Sequence, residues 1–325
     1  MRRDAAGLLA ALRSRWALAS AATLLYWFAA HSLRPLVTLR LDELGASDPQ
    51  IALIVAAYPF CSLFCAMPAG RVVDRLGVLR VLAVSLVGMA AIGAGYALAA
   101  TPNQILGLQV VNGIVELFVW LALQSLVTRA GTGVFRTRQL ALFSLAWGVG
   151  LALGPILGAA VYSRVGFSPL GWLYAALALA ALCGLAVPLR AGADSDARVG
   201  GSSLGATRQM LASPAIRGVL LSTFVALYVN SIKMSFYPLL LERQGVPVAR
   251  IGVLLSVIGV ASLAVRVPLP ALLRRWDAGR LLVTSMWLAI AAMAVTPWLG
   301  SYPALLVAAA LVGLGYGLNP PLTVE

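Results

Sequence analysis

Charge is scarce in this sequence. Asp, Glu, Lys and Arg make up only 11% of its 325 residues, and just 11 side chains are acidic. Soluble domains carry about a quarter charged residues, so the composition excludes a soluble enzyme and a disordered chain alike. Cysteine is nearly absent: Cys61, Cys65 and Cys183 all lie in apolar segments, and with no companion histidines they make neither a disulfide framework nor a zinc site. Cys61 and Cys65, four apart on one helix face, read as small hydrophobes at a helix contact. The only histidine is His31. Catalytic signatures are missing too: no Walker loop, no His-Glu-x-x-His, no Gly-x-Ser-x-Gly and no paired acids at fixed spacing. The chain is expected to be neither an enzyme nor an ATP-driven pump, and to carry no cofactor and no metal.

Apolar residues, in contrast, form 61% of the chain, and its mean hydropathy is +0.92. A helix needs about 20 apolar residues to cross the hydrocarbon core. Ten candidates occur, at 16–38, 50–69, 81–100, 104–126, 139–162, 170–189, 217–239, 250–270, 281–299 and 303–323. They are Ala-, Leu- and Gly-rich runs of helix length, and backbone groups in lipid must bond within their own segment, so helices win over a barrel. The expected fold class is an all-α membrane protein whose first partner is the lipid bilayer.

The net charge of +13 does not imply a nucleic-acid partner, because the arginines are spread over short loops. With a cytoplasmic N-terminus, the inside segments hold the arginines at 2–15, 71–80, 129–138, 190–217 and 274–280. Outside loops keep only Arg40, Arg164, Arg243 and Arg250, the bias that orients membrane proteins. The opening Met-Arg-Arg is followed by no small-residue cleavage site, so the first apolar run reads as a spanning helix and not as a signal peptide.

Sliding the chain against itself by 200 positions pairs Gly45 with Gly245, Ile51 with Ile251, Ser62-Leu63 with Ser262-Leu263, Pro68 with Pro268, Arg80 with Arg280 and Gly113 with Gly313. No gap is needed, and helices fall on helices. The second half is a degenerate copy of the first, as in transporters built of two parallel bundles with a midplane site. The expected domains are a six-helix bundle at 1–189, a polar cytoplasmic linker at 190–216 and a second bundle at 217–325. Partners of the fifth and sixth helices should fall near 339–389, so four of six helices are expected in the second bundle and the chain reads as a fragment.

Between the second and third segments stands Gly70-Arg-Val-Val-Asp74-Arg75-Leu-Gly77-Val-Leu-Arg80. This charged hairpin loop resembles the Gly-x-x-x-Asp-Arg-x-Gly-x-x-Arg loop of the major facilitator superfamily of secondary transporters. The resemblance implies that fold, two pseudo-symmetric bundles rocking in alternating access, with Asp74 as a latch near the N-terminus of an eleventh helix. In the second copy Arg274 stands at the place of Asp74, so any latch is asymmetric. The fifth helix carries Gly150-Leu-Ala-Leu-Gly154-Pro155-Ile-Leu-Gly158, which resembles a signature of the superfamily's exporting, proton-antiporting branches. Glycines four apart let helices approach closely, and Pro155 permits a kink.

The fourth helix places Gln109, Asn112 and Glu116 on one face with Gly113 beside them, and Glu116 is the one acid well inside a span. Such a carboxylate must be paired or protonated, and it marks an ion pathway. The superfamily's fourth-helix signature has an Arg where this chain has Gln109. On the first helix Trp27, His31, Arg34 and Thr38 share a face; on the seventh, Asn230, Lys233 and Tyr237 do. One cation from each half resembles the anion carriers of the superfamily.

The reading is a monomeric, multi-pass inner-membrane transporter with a cytoplasmic N-terminus, which exports a small organic molecule in exchange for protons or another coupling ion. Glu116 is its proton carrier, and Gln109, Asn112, His31, Arg34, Trp27, Asn230, Lys233 and Tyr237 line its cavity. An organic or inorganic anion carrier gripping with Arg34 and Lys233 is the first alternative. A non-transporting or truncated membrane protein is the second.

Overall fold

The computed structural model describes residues 20–128, 133–190 and 231–322. The opening Met-Arg-Arg, Asn230 and the expected linker beyond Arg190 lie outside them. The described residues form helices and no strand, as an all-α membrane protein must. In chain order these are α1 (20–43), α2 (Asp48–Leu76), α3 (Val78–Leu98), α4 (Pro102–Thr128), α5 (Gly133–Val165), α6 (Phe167–Arg190), α7 (described over 231–243), α8 (Val248–Ala264), α9 (Ala278–Val295) and α10 (Tyr302–Leu322). A short helix, Leu269–Leu273, lies between α8 and α9. Among the described residues, α2 to α6 and α9 are long and apolar enough to cross a membrane, and α8 and α10 are shorter apolar helices.

The helices run further than the apolar segments do. The charged stretch 70–80, expected as a loop, is instead the last turns of α2 and the first turn of α3, with Gly77 alone between them at φ 90°, ψ 140°. The Gly77 amide closes α2 on the Val73 carbonyl at 3.1 Å and the Val81 amide opens α3 on the Gly77 carbonyl at 3.1 Å, and a glycine at positive φ reverses the chain in one residue. Gly166 does the same between α5 and α6, at φ 83°. In α1 the helix tightens into a 3-10 turn at Arg34–Leu36, where Pro35 has no amide to donate.

Two compact units emerge. The first comprises Met1–Gly150 and Val161–Val199, the second Leu151–Ala160 and Gly200–Glu325. In the first unit α3 packs on α6 through glycines: a Cβ added to Gly93 would stand 2.7 Å from the Ala175 amide nitrogen and 2.8 Å from the Gly171 carbonyl oxygen. Backbone atoms cannot step aside. Gly93→Val should therefore destabilise the protein by about 1–3 kcal/mol or more, the cost of overpacking. Thermal unfolding in detergent would show it, and an unchanged midpoint would refute the close crossing.

In the second unit, the middle of α5 lies along α8. A Cβ on Gly252 would stand 2.8 Å from the Pro155 carbonyl oxygen, and one on Gly259 2.6 Å from that of Leu151. The Ile156 amide donates to Ser256 Oγ at 3.1 Å. Tyr237, Leu254, Ile258 and Val312 form part of this unit's apolar core.

The 200-residue repeat is visible in the backbone. Helix α1 ends with Ala46 N donating to Leu41 O at 3.0 Å and Gly45 N to Asp42 O at 2.9 Å; α7 ends with Val246 N to Leu241 O at 2.9 Å and Gly245 N to Glu242 O at 2.8 Å. Both are Schellman caps, with the glycine at φ 74° and 80° respectively. The crossing of α4 on α2 places Gly113 against the Tyr58 carbonyl, and that of α10 on α8 places Gly313 against the Ile258 carbonyl. Each residue of the second contact stands 200 positions after its counterpart. The junction after α8 departs from the pattern. Asp277 caps α9 through the amides of Gly279 at 3.0 Å and Arg280 at 3.2 Å, whereas Gly77 precedes α3.

Candidate functional site

The first unit gathers its polar side chains around Glu116, which is 2% exposed. Arg34 Nη2 forms an ion pair with Glu116 Oε2. The Tyr58 hydroxyl donates to the same oxygen at 2.7 Å and accepts from Arg34 Nη2 at 2.8 Å. The guanidinium carbon lies 4.7 Å from the Tyr58 ring centroid. On the other carboxylate oxygen, Asn112 Nδ2 donates at 3.1 Å and the Tyr174 hydroxyl at 3.0 Å. That hydroxyl also stands 3.2 Å from Asn112 Oδ1, so its one proton serves either acceptor.

Four helices supply these groups. On α4, Asn112 and Glu116 are one turn apart and share a face. Between them Gly113 lets the α2 backbone approach at Tyr58, which brings the Tyr58 hydroxyl to the carboxylate. Arg34 is delivered by the 3-10 turn of α1, and Tyr174 by α6. The opposite charges cancel within the cluster, and both carboxylate oxygens are saturated, the condition under which a buried ion pair is tolerated. Arg34 and Glu116, expected in competing roles, are partners.

The other expected residues fall nearby on the same helices. Gln109, a buried residue of α4, accepts from the Tyr96 hydroxyl at 3.1 Å. Nδ1 of His31 lies 2.9 Å from the Trp27 carbonyl, and the Trp27 ring stacks among His31, Trp120 and Trp147 with centroids 5.3, 5.4 and 6.3 Å away. Gly150 lets α5 close on the Trp27 backbone. Thr38 is buried further along α1. Gly154, Pro155 and Gly158 are buried in the middle of α5. Gly70, Asp74, Arg75, Gly77 and Arg80 occupy the α2–α3 junction, on helix except for Gly77. In the second unit Lys233 and Tyr237 are buried on one face of α7.

Tyr58, Tyr96 and Tyr174 were not anticipated. The signal was present: a tyrosine within a span has a hydroxyl that needs a partner, and each of these reaches a polar residue of α4.

The sequence matches the Major Facilitator Superfamily over residues 19–324. The chain belongs to that superfamily. It is 29% identical over 142 residues to the uncharacterized MFS-type transporter YhjO of Bacillus subtilis, covering 43% of this chain and 34% of that one. It is 27% identical over 202 residues to the inner membrane transport protein YajR of Escherichia coli, covering 56% and 42%. The chain thus spans between about a third and two fifths of the length of the curated relatives it matches. Among solved structures, a mutant of the nucleoside transporter NupG superposes with a TM-score of 0.76 at 16% identity, over 95% of this chain and 81% of that one. The human organic anion transporter MFSD10 does so with 0.64 at 19% identity, over 96% and 84%. The superfamily fold is thereby shown, with its two pseudo-symmetric helical bundles, and the chain is a multi-pass membrane protein. The relatives and neighbours are transporters, not enzymes.

Proposed function

We propose that this protein is a secondary transporter that moves a small organic molecule outward in exchange for protons by alternating access. Its two bundles would be residues 1–189 and 217–325, joined by a cytoplasmic linker at 190–216. It would lie in the inner membrane as a monomer with the N-terminus in the cytoplasm. The carrying observation is the ion pair of Glu116 and Arg34 inside a membrane span, wrapped by Tyr58, Tyr174 and Asn112. Protonating Glu116 removes the charge that holds Arg34 and frees the Tyr58 hydroxyl. Losing the proton restores the pair, so the site has two arrangements that a pH gradient biases. Asp74, on the last turns of α2, is the proposed latch between conformations.

A second reading, an organic or inorganic anion carrier, draws on the buried cation Lys233 together with Arg34. The two separate in proteoliposomes holding a trapped pH dye. Under exchange, adding a transported organic molecule drives protons against its own movement, and collapsing the pH gradient stops the flux. Flux indifferent to the gradient would remove the proton-exchange reading.

A further inference from the structure

The 24 Lys and Arg side chains of this protein include a single lysine, Lys233, and the structure buries it to 1% exposure. Its Nζ finds no hydrogen-bond partner among the described residues. It rests 4.2 Å from the centroid of the Tyr316 ring on α10. One turn further along α7, the buried hydroxyl of Tyr237 also finds no partner among them.

The repeat accounts for this arrangement. Counted back by 200, Tyr316 falls on Glu116 and Lys233 falls one residue before Arg34. The second unit keeps the cation but puts an aromatic ring where the first has the neutralising carboxylate. A ring face attracts a cation by about 0.5–2 kcal/mol, which does not offset the several kcal/mol that burying an ammonium costs. A protonated Lys233 therefore has no balancing carboxylate among the described residues.

We infer that Lys233 and Tyr237 hold the acid group of the transported molecule, and that this molecule is an organic monoanion of the carboxylate class. One ammonium balances one negative charge, and two donors at i and i+4 share a face, suited to the two oxygens of a carboxylate. The surroundings favour an organic body over an inorganic ion: Tyr237 packs in a cluster with Leu254, Ile258 and Val312. Arg34 takes no part, since Glu116 already balances it. The inference rests on the transport reading and adds the substrate class.

A lone lysine makes amine chemistry site-specific. Reductive methylation of the 325-residue protein in detergent marks Lys233 and the terminal amine, resolved by peptide mass spectrometry. Benzoate is the probe and benzamide its neutral isostere. Benzoate well above its Kd should slow methylation of Lys233 about fivefold or more by occupancy, while benzamide leaves the rate unchanged. In parallel, benzoate should raise the thermal midpoint of wild type and of Lys233→Arg but not of Lys233→Gln. This arm decides whether or not the amine reacts. Absence of benzoate stabilisation in wild type, equal action by benzamide, or full stabilisation of Lys233→Gln overturns the site. Benzoate flux in liposomes is read separately. Protection without gradient-dependent flux keeps the site and removes the transport reading, whereas flux without protection or stabilisation does the reverse.

Discussion

Glu116→Gln is expected to cut pH-gradient-driven flux about 100-fold, the lower range of what a positioned proton-transfer group contributes, while binding of the transported molecule survives. The amide keeps the shape of the carboxyl, and its oxygen can still accept from Tyr58 or Tyr174. It can neither take up a proton nor attract Arg34, so the site is held in one of its two arrangements. Gradient-independent exchange of internal for external substrate should persist, because it needs rocking of the bundles but no net proton movement. Measuring both modes in the same liposomes separates a coupling defect from a folding defect. Wild-type gradient-driven flux in Glu116→Gln would leave the pair with a structural role only.

Fold class was legible because lipid permits so few solutions. Ten apolar runs of helix length, with arginines on alternate sides, leave little but a helical bundle. The repeat was legible because the same backbone contacts are required twice: Gly45 and Gly245 each end a helix in the left-handed region, and Gly113 and Gly313 each admit a neighbouring backbone. Helix ends were less so. Hydropathy marks where lipid stops, whereas a helix such as α2 continues through Asp74 and Arg75 until Gly77 ends it.

The site was legible by residue but not by pairing. Spacing along α4 put Asn112 and Glu116 on one face, and the structure brings both to one cluster. Nothing in the spacing says that Arg34, 82 positions away, supplies the counter-charge, because that contact is made between helices, with Arg34 delivered by the 3-10 turn of α1. Tyr58, on α2, and Tyr174, on α6, escaped for the same reason: each lies on an otherwise apolar helix, and only packing turns its hydroxyl toward the carboxylate.

The pairing makes a prediction of its own. Arg34→Gln should destabilise the folded protein by about 3–5 kcal/mol, the usual cost of removing one partner from a buried pair, since Glu116 at 2% exposure loses its cation and water cannot replace it. The double variant Arg34→Gln, Glu116→Gln should recover most of that loss, because two neutral amides demand no counter-charge. The coupling energy should exceed about 2 kcal/mol, within the range for residues in direct contact. Denaturant or thermal unfolding in detergent gives all four corners of the cycle. If Arg34→Gln falls within about 0.5 kcal/mol of wild type, the range of an ordinary surface change, the two side chains are not coupled and the cluster loses its centre. If the double variant is stable yet inert in gradient-driven flux, the charges are kept for transport and not for folding: the fold tolerates their removal together, and the proton-responsive switch does not.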